Sequence, residues 1–486
     1  MNMNKRKSMI LTAALLMTLS AGTVAQAREE LHLTTDYKLT EKAIESQMKK
    51  ADTKREINFD NMLLQQNLNG LMPKAENSSA ANSLNIDLKG AVATAVQNNR
   101  DIRLAELSLA DAEATVSETA AQKNPSLGYS WKGTKVNITD THSYSQGLSV
   151  TWPIWTGGKV EGAIESARYA EDIAHVNVYQ TEAATKLSAA KAYYQYLEAI
   201  NLADIANESV TNLDGHLTNV KQQYAAGIVA KLDVLSSNVS LANAKQSSIS
   251  AANSRDVAEA NLNNIMRIPM NTKLNPVDKN FPEPEFDITM EQAIAMGEKY
   301  RWELIKADYN VRIAKEKIRI AKAGYMPTVA VGGGYSWDTA ALSGFDKDNW
   351  SVYSTVSWSL WDGGATDASI KSANIGLKTA EETLLQAREG VELEIRQDYL
   401  NVLSAKEEIR ATEAAVEQAQ EAYKIATVRY RSGVGINLDV LDAQLQLNQA
   451  RTNYITALYN YNIGLATLEN AMGVPAIIHP EFMKKN

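Results

Sequence analysis

The sequence contains no cysteine and has only five histidines, five phenylalanines and ten prolines among 486 residues. Without cysteine no disulfide can form, so stability has to come from packing. The same absence excludes a lipidated cysteine after the leader. Beyond the first 27 residues no window resembles a transmembrane helix of roughly 20 apolar residues. A helical anchor is thereby excluded, but a β-barrel is not, because its alternating signal is weak. His32, His142, His175, His216 and His479 are scattered, with no H-E-x-x-H and no paired metal spacing. Each is expected at the surface, and neither metal nor cofactor is expected. The glycine-rich "VGGGYSW" lacks the Lys-Ser/Thr of a P-loop and lies in a strand pattern. With no catalytic constellation, an enzyme is not expected. Basic charge is also short: 49 Lys and Arg against 57 Asp and Glu give a net charge of −8, a poor basis for binding nucleic acid.

What is present begins with a leader. Lys5, Arg6 and Lys7 precede an apolar stretch from Met9 to Leu19, and Ala25-Gln26-Ala27 forms an A-x-A site. Residues 1–27 read as a secretory signal peptide. Its removal takes away three basic residues and no acid, which moves the net charge from −8 to −11. Residues 28–85 form an N-terminal extension, with a helix suggested by "KLTEKAIESQMKKA" and a flexible linker by "AENSSAANS".

The remainder is written twice. "TWPIWTGG" from Thr151 returns as "SWSLWDGG" from Ser357, and "GIVAKLDVLSS" from Gly227 returns as "GVGINLDVLDA" from Gly433, both 206 residues later. The copies span 86–269 and 286–475, joined by a proline-rich stretch at 270–285 that suits an extended linker, with a tail at 476–486. Each copy has the order helix, two strands, long helix, turn, helix.

The strand segments alternate with period 2. In "HSYSQGLSVTWPIW" the residues Tyr144, Leu148, Val150, Trp152 and Ile154 alternate with small or polar ones, and "NWSVYSTVSWSLW" does the same. Each is near the 9–11 residues of a tilted membrane strand. Seven of the eight tryptophans, Trp131, Trp152, Trp155, Trp337, Trp350, Trp358 and Trp361, fall in these segments, mostly at their ends. That placement matches an interfacial aromatic girdle. Gly157-Gly158 and Gly363-Gly364 then mark the strand-to-helix turns. In the second long helix a heptad seam runs through Ala380, Leu384, Ala387 and Val391, and again from Val402 to Tyr430. From Gly363 to Tyr430 such a helix is about 100 Å long at 1.5 Å per residue.

Four strands cannot close a barrel, and an open edge in hydrocarbon leaves backbone groups unpaired. The barrel must therefore be shared, two chains giving eight strands and three giving twelve. The double repeat, the Gly-Gly turns and the "YxxGxxxxLDVLxA" pattern from Tyr430 to Ala443 resemble the outer membrane efflux protein family, the TolC-like channels. The resemblance covers about 86–475. It implies a mainly α protein: a trimeric outer-membrane barrel, four strands per chain and twelve in total, continued by a coiled-coil tunnel in the periplasm. It also implies a homotrimer bedded in outer-membrane lipid, partnered by a periplasmic adaptor and an inner-membrane pump. The implied function is a passive exit duct for tripartite efflux or type I secretion. The competing reading is a structural envelope-spanning coiled coil without a pore.

The resemblance further assigns residues at the helical turns. Asp439 and Asp442 match the aspartate rings of the family's closed periplasmic end. Tyr430 and Asp233 match two partners of its latch, while the latch arginine falls at Gly435, so a weaker or differently wired gate is expected. Gly227, Ile228, Gly433 and Val434 match the adaptor-facing turns. Asn437 is expected to cap the last helix.

Overall fold

A computed structural model describes residues 83–136, 141–339 and 347–473. The described residues all belong to one compact unit, within Ser78–Asn486. The signal peptide, nearly all of the extension and the tail lie outside the described residues.

The elements are β1 (Ser83–Ile86), α1 (Leu88–Asn98), α2 (Arg100–Ala121), β2 (Ser126–Val136), β3 (Thr141–Trp155), α3 (Lys159–Ala225), α4 (Lys231–Met266), β4 (Lys273–Pro276), α5 (Met290–Tyr300), α6 (Trp302–Lys322), β5 (Thr328–Thr339), β6 (Lys347–Ser357), α7 (Ala365–Arg431) and α8 (Asn437–Ala471). The leading helix of each half is thus two helices. The breaks fall at Asn99 and Arg301, both extended. Asn99 caps α2 by accepting from the Asp101 and Ile102 amides. The buried Arg301 guanidinium donates to Glu303, to Glu394 of α7 and to the Asn470 carbonyl of α8.

The strands form one antiparallel sheet in the order β2–β3–β5–β6, so the two halves join through β3 and β5. The register sorts the side chains by face. Tyr129, Leu148, Tyr335 and Trp350 are cross-strand neighbours in one row, and Leu127, Val150, Gly333 and Val352 in the next. The intervening rows are Gly128, Ser149, Gly334, Ser351 and Ser130, Gly147, Ser336, Asn349. One face is apolar and the other small and polar. Most of the large apolar side chains are exposed within the single chain.

Two details differ from the sequence expectation. First, β6 stops at Ser357, opposite Thr328 at the start of β5, so Trp358 and Trp361 lie beyond the strand. Its first-half counterpart extends to Trp155 because β5 still offers Val329 to pair with it. Second, a register shift between Pro153 and Trp155 sets Trp155, rather than Ile154, against Val329. Proline has no amide to give the ladder, which fits a bulge there.

Helices α3 and α7 contain 67 residues each, about 100 Å at 1.5 Å per residue. Helix α3 packs along α4 and α7 along α8, while α2, α3, α6 and α7 lie side by side in that order. Every α7 seam position read from the sequence is buried or half-buried. The 11-residue step between Val391 and Val402 is filled by Ile395, fully buried against Gly297 of α5, which has no room for a Cβ. The main core lies at mid-length, where α1, α5 and the inter-repeat segment wrap the long helices.

That segment is not a free linker. Residues Lys273–Pro276 pair in parallel with Ser83–Ile86, and Phe281 and Phe286 are buried. Three tyrosines hold its backbone: Tyr196 donates to the Leu274 carbonyl at 2.7 Å, Tyr461 to Pro284 at 2.6 Å and Tyr399 to Ile288 at 3.0 Å.

The Gly-Gly turns have a backbone reason. Gly157, Gly158, Gly363 and Gly364 have φ of 67°, 90°, 70° and 87°, and Gly158 and Gly364 occupy the N-cap positions of α3 and α7. The left-handed region costs other residues about 1–2 kcal/mol. A Cβ at Gly157 would also sit 2.7 Å from Met326 Cβ, whereas one at Gly158 meets only Arg319 Nε at 3.7 Å. Gly157→Ala should therefore lower the thermal unfolding temperature more than Gly158→Ala. Equal shifts would show that the backbone angle alone matters.

Candidate functional site

The far ends of the two helical hairpins, α3–α4 and α7–α8, turn through similar five-residue connections. Gly227 and Gly433 take φ of 74° and 75°, which lets the chain leave each long helix. Ile228 and Val434 follow at 70% and 68% exposed, so each tip presents an apolar side chain to its surroundings.

Behind the tips the hairpins are clasped together. Tyr430 of α7 is 3% exposed and packs with Val220 of α3 and Val440 of α8. The His216 ring lies against it, with centroids 5.0 Å apart. His216 Nε2 is 2.7 Å from Asn437 Oδ1 and donates to it in the Nε2–H tautomer. Ser237 Oγ donates to the same oxygen at 3.1 Å, and Asn437 Nδ2 donates to the Asp233 carbonyl at 3.3 Å. One side chain of the second hairpin is thus bound to both helices of the first.

This geometry corrects two expectations and adds a detail to a third residue pair. Asn437 is not the cap of α8: Ile436 holds that position without a side-chain bond, and Asn437 opens the helix while its amide turns inward. His216 is buried, not at the surface. Asp233 stands near Tyr430, and the Tyr430 hydroxyl has no hydrogen-bond partner among the described residues. Burial, and then the charge of Asp233, push this phenol above its ordinary pKa. Arg429 and Arg431, on either side of Tyr430, are exposed and form no ion pair among the described residues. At Gly435 a Cβ would approach the Tyr430 nitrogen to 2.9 Å, so the turn is packed closely there.

Asp439 and Asp442 lie in the first two turns of α8, both exposed, next to the buried Val440 and Ala443. Asp439, in the first turn, is favoured by the positive helix end by about 0.3–1 kcal/mol, an effect that has fallen off by Asp442. Asp233 holds the equivalent place in α4 and is half-buried. Asp233, Tyr430 and the two aspartates thus gather at one end of the helices, with His216 and Ser237 as additional members. The sequence did carry a signal for His216: it lies in an apolar stripe with Leu213, Leu217 and Val220 at helical spacing.

The tryptophans expected to form a girdle lie at the opposite end of the long helices. Trp131, Trp152, Trp155, Trp350, Trp358 and Trp361 are exposed, Trp361 to 87%. The repeated tryptophan motif also has an internal role. Trp152 Nε1 donates to the Lys123 carbonyl after α2, and Trp358 Nε1 donates to the Tyr325 carbonyl after α6, both at 3.0 Å. Each indole ties the end of one strand to the start of the preceding one, with its ring still outward.

The sequence model of the outer membrane efflux proteins matches residues 91–266 and again 299–474. The chain belongs to the outer membrane efflux protein family. Among curated relatives it is 25% identical over 393 residues to the outer membrane protein TolC of Escherichia coli K12, covering 75% of this chain and 78% of that one. It is 22% identical over 430 residues to the cation efflux system protein CusC of the same strain, covering 83% and 91%. Among solved structures, a CusC crystal structure superposes with a TM-score of 0.70 at 20% identity, covering 80% of this chain and 93% of that one. The open-state MtrE channel of Neisseria gonorrhoeae does so at 0.69 and 18%, covering 80% and 89%. These structures share the fold: a small sheet continued by a long helical tunnel.

The clasp has a pH dependence. Burial lowers the His216 pKa, Arg431 adds to that, and the Asn437 hydrogen bond opposes it. A depressed pKa means the folded tip favours the neutral ring. Its contribution is full above the unfolded value of about 6.5 and is lost as the pH falls toward the folded one. Hydrogen exchange at the tips, corrected for its intrinsic pH dependence, should speed up below about pH 6.5 in the wild type and not in His216→Gln. The same acid response in both proteins would remove His216 from the account.

Proposed function

We propose that three copies of this chain form an outer-membrane exit duct, closed at the hairpin tips and opened there by a periplasmic adaptor and its inner-membrane pump. The observation that carries this reading is the sheet. Four strands expose an apolar face and, among the described residues, have two unpaired outer edges, and glycine turns join them to helices about 100 Å long. Three such sheets supply twelve strands, an even number within the range of bacterial barrels. The small polar residues of the other face suit a water-filled lumen. The duct itself is passive, and the pump supplies the energy.

At the closed end, three copies of Asp439 and Asp442 place six carboxylates around one mouth. Rings of this kind bind cations and select among permeating charges. The Asn437 clasp takes the place of the family's arginine, holding hairpin to hairpin through His216, Ser237 and the Asp233 carbonyl. The exposed Ile228 and Val434, each preceded by its glycine, form the adaptor contact.

Planar-bilayer recording separates these roles. Asp439→Ala combined with Asp442→Ala should weaken block by divalent cations and shift charge selectivity while the closed state persists. Asn437→Ala should raise basal conductance with the acidic ring intact. No conductance from any variant would favour the structural coiled coil over the duct. Conduction unchanged by Asn437→Ala would mean the clasp is not the latch.

A further inference from the structure

Away from the tips, a second group of side chains converges in the wall of the helical part. Glu113 of α2 and Glu171 and His175 of α3 each direct a donor atom to one place, and the three atoms lie within 4.8 Å of one another. Glu171 and His175 are half-buried and four residues apart on one helix face; Glu113 faces them from the neighbouring helix.

The helix register makes this meeting unavoidable. Near one end of the α2–α3 seam Asn99 donates to Thr185 at 3.0 Å, and near the other Lys123 pairs with Glu161 at 3.1 Å. Glu113 is fourteen residues on from Asn99, and Glu171 is fourteen back from Thr185. The antiparallel seam, tied at both ends, therefore sets one carboxylate opposite another. No lysine or arginine pairs with either glutamate among the described residues, and His175 forms no ion pair with them.

The second half of the chain shows that the fold does not require this arrangement. Its positions corresponding to Glu113, Glu171 and His175 are Lys315, Leu377 and Glu381. There a lysine and a leucine stand in place of the two opposed acids, and a glutamate in place of the histidine. In the first half the positive charge is missing and an imidazole is added.

We propose that Glu113, Glu171 and His175 bind a divalent first-row transition cation that staples α2 to α3. Two carboxylates and one imidazole suit Zn²⁺ or a neighbour such as Mn²⁺ or Co²⁺, with water completing the shell. Copper(I), which prefers sulfur, and Mg²⁺ or Ca²⁺, which prefer oxygen throughout, fit less well. The site is independent of the gate: Glu171 is twelve residues into α3, about 18 Å along it at 1.5 Å per residue, at the end nearer the sheet. The sequence alone hid it, because the i,i+4 pair on α3 becomes a site only when α2 folds against it.

The test uses the full chain in detergent, carrying no histidine tag, stripped with EDTA and titrated with Zn²⁺ against a chromophoric chelator. The wild type should take up one Zn²⁺ per chain at this site. His175→Ala and Glu113→Gln should each weaken that uptake about tenfold or more, and His216→Ala should not. With Co²⁺ as the probe, the visible absorption of the bound ion should change in His175→Ala. Glu113→Lys, which copies the second half at that position, should abolish uptake at this site while leaving the metal-free protein at least as heat-stable as the wild type. Absence of Zn²⁺ uptake by the wild type would overturn the proposal, and so would equal affinity in the wild type and His175→Ala. Circular dichroism of each variant confirms that the comparison is between folded proteins.

Discussion

The backbone of β2 and β6 is the constraint on which the rest depends. Each is paired on one side only among the described residues. In water an open edge can be solvated, but in hydrocarbon each unpaired amide or carbonyl costs several kcal/mol. An edge strand in a membrane therefore has to find another strand. The alternation of side chains follows from the same setting, since the outward rows carry Leu127, Tyr129, Trp350 and Val352 and the inward rows carry serine and glycine. The repeat then follows as well: one copy provides one strand pair, and β3 meets β5 to join the two pairs into one sheet.

The helices solve a different problem, that of reaching far from the membrane while remaining ordered. A helix of 67 residues has too little apolar surface to be enclosed on all sides, so each is held along narrow seams and gripped once at mid-length. The grip uses aromatic and backbone contacts from the inter-repeat segment, where Tyr196, Tyr399 and Tyr461 donate to main-chain carbonyls. At one end the indoles of Trp152 and Trp358 and the left-handed glycines fix the passage from strand to helix. At the other end the polar contacts are fewer and centre on Asn437. A tip held by a small number of hydrogen bonds is suited to opening, because little has to be broken.

Much of this was legible because it is periodic. The strand alternation and the α7 seam repeat many times, and each is found where the pattern puts it. The parts that were not legible depend on single long-range meetings. Nothing local distinguishes Lys273–Pro276 from a linker until Ser83–Ile86 lies beside it. Nothing local ends β6 at Ser357; the stop comes from where β5 begins. Asn437 looks like a cap because asparagine often is one, and its inward turn depends on His216 and Ser237 arriving from the other hairpin. The Tyr430–Asp233 pair carried over by resemblance brings the two residues close without a bond between them.

If open edges govern the assembly, the number of chains in the folded particle is the quantity to measure. Native mass spectrometry of the detergent-solubilised protein counts them directly. Three chains per particle, with no populated folded monomer, is the result this account predicts. A stable folded monomer would contradict it, and a dimer, whose eight strands could also close, would contradict the twelve-stranded barrel.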